Sequence, residues 1–277
     1  MERTGDYNLL TTGQIIKGVA GRYEVLSDGI VHTCLPRGIF RKTGEVPLVG
    51  DIVDFENGVI HRLHKRNNQL RRPLVANVEL CIIVMATAQP AFHPRLLDNF
   101  LLLAEYEDLD ILICINKAEL HPDLDISAFC YYPKIFTSVT TGQGLDELRR
   151  HMSGRLCLFA GPSGVGKSSL INALNPELNL QTGLLSQKLA RGKHTTRHTE
   201  IFSVGDARVF DTPGFTALDI SHIKKDEIAR LFAEFRPFSC KFTNCRHISE
   251  QDCEIKRKVA EGVIPAKRYA AYVEMIC

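Results

Sequence analysis

Gly161-Pro162-Ser163-Gly164-Val165-Gly166-Lys167-Ser168 lies in the middle of a 277-residue chain. An apolar run, Arg155-Leu-Cys-Leu-Phe-Ala160, leads into it, and Ser169-Leu-Ile-Asn-Ala-Leu174 continues beyond it at helical spacing. The segment fills the pattern G-x-x-x-x-G-K-[ST] in the strand–loop–helix setting that pattern requires. Its glycines let successive backbone N–H groups curl around phosphate oxygens, and the helix N-terminus adds its positive end. Lys167 is placed to reach the β- and γ-phosphates, and the Ser168 hydroxyl to ligate Mg²⁺. The expected phosphate contacts run from Gly161 through Ser169. A chance Gly-rich turn would not explain the strand before the loop and the helix after it.

Working outward, Asp211-Thr-Pro-Gly214 follows the apolar pair Val209-Phe210. Alone, this is an ordinary turn sequence. Downstream of a phosphate loop it is the expected γ-phosphate sensor, with Asp211 on Mg²⁺ and the Gly214 N–H on the phosphate. Upstream, Asn116-Lys117-Ala118-Glu119 ends the apolar run Ile111 to Ile115. The N-K-x-D motif reads guanine through a carboxylate that accepts hydrogen bonds from the base N1 and N2 groups, a pattern adenine cannot supply. Glu119 offers the same carboxylate one methylene further out. Thr137-Ser138-Val139-Thr140 fits a second base-side loop, with Ser138 and Val139 beside the base. The order is rotated: the base motifs at 116–140 precede the phosphate loop, whereas common GTPases run the other way.

The rest of the chain frames this centre. Residues 13–70 read as about five short strands with turns at Asp28-Gly29 and Asn57-Gly58, which suggests a small β-barrel. Arg37, Arg41, Lys42, Lys65, Arg66, Arg71 and Arg72 lie in or beside its loops, either as a polyanion contact or as solvated charge. From residue 78, apolar runs alternate with helical spacing, the mark of a parallel α/β sheet. The chain is 44% hydrophobic and 24% charged, as in an ordinary soluble globular protein. Residues 1–72 carry 11 Lys and Arg against 8 Asp and Glu, and so do residues 221–277. The centre carries 12 against 16, so two mildly basic ends flank an acidic middle. No apolar run approaches the roughly 20 residues of a membrane helix, and a cytoplasmic protein without membrane contact is expected. Nine cysteines, an odd number, argue against a disulfide framework. Cys81, Cys114 and Cys157 lie in apolar runs and read as core.

The rotated motif order, the barrel before it and a Cys/His cluster after it resemble the circularly permuted bacterial GTPases of small ribosomal subunit biogenesis, the RsgA/YjeQ type. The resemblance covers essentially the whole chain. Two positions depart from it, Glu119 where the family has Asp and Lys193 where it has Arg. It implies three parts: an oligonucleotide-binding (OB) barrel over 1–70, a permuted GTPase domain over 71–220 and a zinc-binding helical domain over 221–277. It also implies a monomer that hydrolyses GTP to GDP on the small ribosomal subunit, late in that subunit's maturation, contacting rRNA through its flanking parts.

Common GTPases place a catalytic Gln directly after D-x-x-G, but Phe215 stands here and cannot orient a water by hydrogen bonding. His194, in Gly192-Lys-His-Thr-Thr196, is the best polar candidate, and the resemblance assigns the equivalent His to catalysis. The alternative is that His194 only lines its loop or touches RNA. Thr196, ahead of Thr195, is the expected Mg²⁺-linked switch residue. Cys240, Cys245, His247 and Cys253 form a compact C-C-H-C set able to surround one Zn²⁺, or else a chance cluster of thiols. The resemblance favours a structural zinc site. Lys256, Arg257, Lys258, Lys267 and Arg268 then face RNA or solvent. Three rival readings remain distinct: a nucleotide-gated RNA scaffold with little turnover, an ATP-using P-loop enzyme, and a barrel–zinc protein with a vestigial nucleotide site. Hydrolysis of GTP against ATP, with and without small subunits, separates them.

Overall fold

The computed structural model describes residues 10–40, 44–178, 180, 199–211, 220 and 222–277. Five strands come first: β1 (Thr11–Val19), β2 (Arg22–Ser27), β3 (Ile30–Pro36), β4 (Ile52–Glu56) and β5 (Val59–Leu63). They pair in the order β1-β2-β3-β5-β4, and β4 returns to β1, so the sheet closes into a barrel. Only β3–β5 is parallel within it. The turns are those anticipated. Asp28-Gly29 and Asn57-Gly58 all have positive φ, as the tightest hairpin turns require. Alternate side chains, among them Ile15, Val25, Val53 and Ile60, fill the barrel.

A hairpin of β6 (Gln69–Arg71) and β7 (Leu74–Ala76) follows and straddles the expected boundary at 70/71. It leans on the barrel through a Val49–Val75 bridge. Arg66 belongs to this joint. Its guanidinium bonds both carboxylate oxygens of the fully buried Asp51, at 2.7 and 2.8 Å, and the Val46 carbonyl at 2.7 Å. Its charge is thus spent inside the protein.

The central sheet contains β8 (Leu80–Ala86), β9 (Ile111–Asn116), β10 (Lys134–Phe136), β11 (Leu156–Ala160), β12 (Thr199–Val204) and β13 (Ala207–Asp211). Their order is β10-β9-β8-β11-β13-β12. All neighbours are parallel except the last pair. β8, β9 and β11 are buried along their whole length, as continuous apolar strands between helical layers should be. β11, which feeds the phosphate loop, sits between β8 and β13. The strand that begins the domain and the strand that ends it thus flank the phosphate-loop strand, which is how a rotated chain order is accommodated in one sheet. Helices α1 (Pro94–Tyr106), α2 (Leu145–Met152) and α3 (Lys167–Leu174) connect the strands.

β12 also pairs with β1 of the barrel, antiparallel, with Lys17 opposite Glu200 and Gly18 opposite Thr199. Barrel and central sheet are therefore one eleven-stranded hydrogen-bonded surface. A Lys17–Glu200 ion pair at 3.0 Å and a bond from Arg208 to Gln14 cross the same seam.

The C-terminal part contributes a short 3₁₀ turn at Ile228–Leu231, α4 (Glu254–Ala260) and α5 (Ala266–Ile276). Its core of Phe232, Phe235, Ile255, Ile264 and Tyr272 also takes in Leu102 of α1. Leu97, Phe100 and Leu101 of α1 pack on the sheet instead, so α1 is covered on two sides, which explains its run of leucines. Arg268 is the counterpart of Leu102 in this joint. It is buried, bonding Asp98 of α1 and Glu234, with its guanidinium 4.7 Å from the Phe232 ring centre. The expectation of a basic face is corrected here: a buried charge needs partners, and Arg268 has two carboxylates. Lys256 likewise donates to the carbonyls of Ile248 and Glu250. Arg257 and Lys258 pair with Glu254 and Glu261, and Lys267 with Asp125.

Candidate functional site

The parallel strands β8, β9, β10, β11 and β13 have their carboxyl ends at one edge of the sheet, where α/β proteins bind ligands. The phosphate loop leaves β11 and enters α3 through Gly166. Two of its glycines are demanded by geometry. Gly161 (φ 132) passes so close to β8 that a Cβ would lie 2.1 Å from the Val84 carbonyl oxygen. At Gly166 (φ 97) a Cβ would lie 2.3 Å from the Asn116 side-chain nitrogen. Val165 and Ser168 are buried and Ser163 and Gly164 exposed. Lys167 Nζ donates to the Gly161 and Pro162 carbonyls at 2.7 Å each. Burial pushes its ammonium down to about 8. An anion in the loop would raise it again.

The base motifs meet this loop directly. Asn116 Nδ2 donates to the Val165 carbonyl at 2.8 Å and Lys117 Nζ to the Gly164 carbonyl at 2.8 Å. Thr137 Oγ1 donates to Asn116 Oδ1 at 3.2 Å, and the Ala118 N–H to the Thr137 carbonyl at 3.0 Å. Glu119 is exposed, and its carboxyl is held below the usual range first by the Ser138 hydroxyl, against desolvation and with help from its own N–H, Thr140 and Lys117. Ser138 Oγ also accepts the Thr141 N–H at 3.1 Å. Val139 stands exposed beside them. Asn116 and Lys117 therefore touch the phosphate loop itself, while Glu119 and Ser138 meet each other in the adjoining loops. Asp211 ends β13, next to β11 and parallel to it, so it leaves the sheet at the same edge. His194, Thr195, Thr196 and Gly214 lie outside the described residues.

The second cluster is at the start of α4. Cys240 Sγ lies 3.8 Å from Cys253 Sγ and 3.4 Å from His247 Nδ1, and Cys253 Sγ lies 3.4 Å from the same nitrogen. With Cys245 Sγ, the four ligand atoms all fall within 4.8 Å of one another. A tetrahedron with metal–sulfur bonds of about 2.3 Å has edges of about 3.8 Å, so the set fits one tetrahedral ion. Backbone N–H groups of Glu254 and Ile255 bond the Cys240 sulfur, the helix N-terminus favouring thiolate over thiol. His247 has positive φ (60°), and Tyr269 and Tyr272 donate to the carbonyls of His247 and Arg246 at 2.6 and 2.7 Å. Glu250 accepts the Arg246 and Ile248 N–H groups at 2.7 and 2.9 Å. These bonds hold the ligand loop from outside.

A family model described as RsgA GTPase matches residues 61–221, and one described as RsgA N-terminal domain matches residues 12–59. The chain belongs to the RsgA GTPase family. Relatives named small ribosomal subunit biogenesis GTPase RsgA are 44% identical in Geobacillus kaustophilus and 42% in Alkaliphilus metalliredigens. Each alignment spans 96% of this chain and 97% of the relative. The crystal structure of YjeQ from Thermotoga maritima superposes with a TM-score of 0.82 at 34% identity, covering 97% of this chain and 98% of that one. YloQ, described as a circularly permuted GTPase, gives 0.81 at 35% identity, covering 99% and 96%. As a member of the RsgA GTPase family this chain is a GTP hydrolase, and its barrel, permuted α/β domain and Cys/His cluster are those the sequence led us to expect.

In this RsgA-family site, sequence reading passed over Thr87 and left Thr137 without a task. Thr87 directly follows β8, and its signal was its place, at the carboxyl end of the strand beside Asn116. The anticipated core cysteines are buried and unpaired, with burial pushing Cys81, Cys114 and Cys157 up to about 12. Among the described residues, no helix is long and apolar enough to cross a membrane.

Proposed function

We propose that this chain is a GTPase of small ribosomal subunit biogenesis, hydrolysing GTP to GDP when docked on that subunit late in its maturation. The observation that carries the reading is the pair of bonds from Asn116 and Lys117 to the carbonyls of Val165 and Gly164, which make base reading and phosphate binding one site. Asn116, Lys117, Glu119, Ser138 and Val139 contact guanine. Gly161, Pro162, Ser163, Gly164, Val165, Gly166, Lys167, Ser168, Ser169 and Gly214 contact the phosphates. Ser168, Asp211 and Thr196 would hold Mg²⁺, which supplies charge neutralisation at the phosphates when bound. Lys167 keeps a proton toward the β- and γ-oxygens. His194 orients the attacking water or stabilises charge, because a loose phosphoryl-transfer transition state asks little of a base.

Cys240, Cys245, His247 and Cys253 would hold one structural Zn²⁺, since four protein ligands leave no open position. The closed barrel and the C-terminal part contact rRNA, and the protein works as a cytoplasmic monomer. The relatives' printed names and the closed five-strand barrel support this assignment. The test compares GTP with ATP hydrolysis, with and without small subunits. GTP turnover that rises on subunits and is lost in His194→Ala, with GDP affinity kept, is the expected result. Equal use of ATP, or stimulated turnover that survives His194→Ala, would overturn the base or catalytic assignment respectively.

A further inference from the structure

Lys117 adopts a left-handed backbone conformation (φ 58°), which is uncommon outside Gly, Asn and Asp and persists where the surroundings over-determine it. Thr87 supplies that determination. Strand pairing sets Ala86 opposite Asn116, which brings Thr87 level with the turn that follows. Its N–H donates to the Asn116 carbonyl at 3.0 Å and its hydroxyl to the Lys117 carbonyl at 2.5 Å. The residue is 4% exposed, so its own hydroxyl is largely shielded from water. Two residues on, the Gln89 carbonyl accepts the Lys117 ammonium, which also bonds Gly164. The segment after β8 therefore grips the Asn116–Lys117 turn by its backbone and steers the lysine onto the phosphate loop.

We propose that Thr87 is a positioning residue for guanine recognition: it fixes the turn from which Lys117 covers the site and Glu119 reads the base edge. The inference rests on the base-site assignment above. Without the hydroxyl, the Lys117 carbonyl loses its partner and the left-handed turn loses its restraint. Misplacement then falls hardest on the most directional contact, the carboxylate on the guanine amino group. Inosine diphosphate lacks that amino group, so the preference for GDP over inosine diphosphate reports the positioning itself.

The experiment measures affinity for GDP, inosine diphosphate and ADP in the full chain. Thr87→Val keeps the shape and removes the hydroxyl, whereas Thr87→Ser keeps it. Thr87→Val should weaken GDP binding on the order of tenfold. It should also narrow the preference over inosine diphosphate, while Thr87→Ser stays within about twofold of the parent. Should Thr87→Val not fold, Thr87→Cys, with only a weak donor, reads the same ratio. A lowered unfolding midpoint with an unchanged GDP-to-inosine-diphosphate ratio would assign Thr87 to the fold alone and overturn the proposal. So would a Thr87→Ser variant as impaired as Thr87→Val. A parent protein with no preference for GDP over ADP would instead remove the base-site assignment, and this inference with it.

Discussion

The barrel and the C-terminal part are attached to the GTPase domain by different physics. The barrel is joined through main chain, by pairing of β1 with β12, and through one apolar core that it shares with the sheet, while polar side chains only decorate the seam. The C-terminal part is joined through side chains, by a buried Arg268 between Asp98 and Glu234 and by apolar packing on α1. Backbone pairing tolerates substitution and fixes register. A buried charge cluster tolerates almost none, because removal of one member leaves the others unpaired in low dielectric. The two joints also reach different parts of the site. In sequence, β12 begins three residues beyond Thr196, and β13 ends at Asp211, ahead of the C-terminal part.

The largest expected effect tests whether the C-terminal part stands by the Cys240, Cys245, His247 and Cys253 cluster. Cys253→Ser, or chelation of the full chain, should melt that part and leave the barrel and GDP binding in place, read by limited proteolysis and nucleotide titration. Retention of a folded C-terminal part would show that apolar packing alone suffices. Next, Arg268→Met should cost about 3–5 kcal/mol in denaturant unfolding. Burial already raises the Asp98 carboxyl against the pull of Arg268, and without the arginine it rises further. A raised folded pKa gives stability that is present below the unfolded value near 4 and lost as pH rises. The Arg268→Met defect should therefore be larger at pH 8 than at pH 5, and a pH-independent defect would speak against unpaired carboxylates.

A third outcome should be indifferent to both joints. Lys167 sits near 8 before phosphate arrives and higher afterwards, so GDP binding takes up a proton above that pH. Affinity should fall as pH rises beyond about 8, approaching tenfold per pH unit, with calorimetric proton uptake. The same slope should appear in Arg268→Met and in barrel variants. The smallest effect belongs to the barrel seam: Lys17→Glu should cost about 0.2–1 kcal/mol, and adding Glu200→Lys should restore it. A loss of several kcal/mol there would mean that the seam depends on side chains after all.

Much of this was legible because short motifs carry their own geometry. The phosphate loop, N-K-x-E and the Cys/His set each specify local backbone, and the alternation of apolar runs specified the sheet. Arg268 shows what was not legible. Its neighbours in sequence, Lys256 to Lys258 and Lys267, are charged and exposed or half-exposed, and nothing local distinguishes it from them. Only the fold brings Asp98 and Glu234 to it. Arg66 and Asp51 repeat the lesson at the barrel. Thr87 was missed for the opposite reason. Its contacts follow from strand register, which apolar runs do not set, so a lone hydroxyl at a strand end carried no motif.

The seam between β1 and β12 also bears on how the molecule is made. β1 leaves a translating ribosome well before β12 and β13, with about 180 residues between β1 and β12. The barrel can close early, since its five strands are contiguous in the chain. β8, β9 and β10 emerge next and can pair with one another, but the strand on the other side of β8, β11, arrives only after residue 155. The central sheet is thus completed only when β12 and β13 join a barrel whose strands all precede them in the chain. A chain truncated before β12 should keep its barrel and bind no nucleotide.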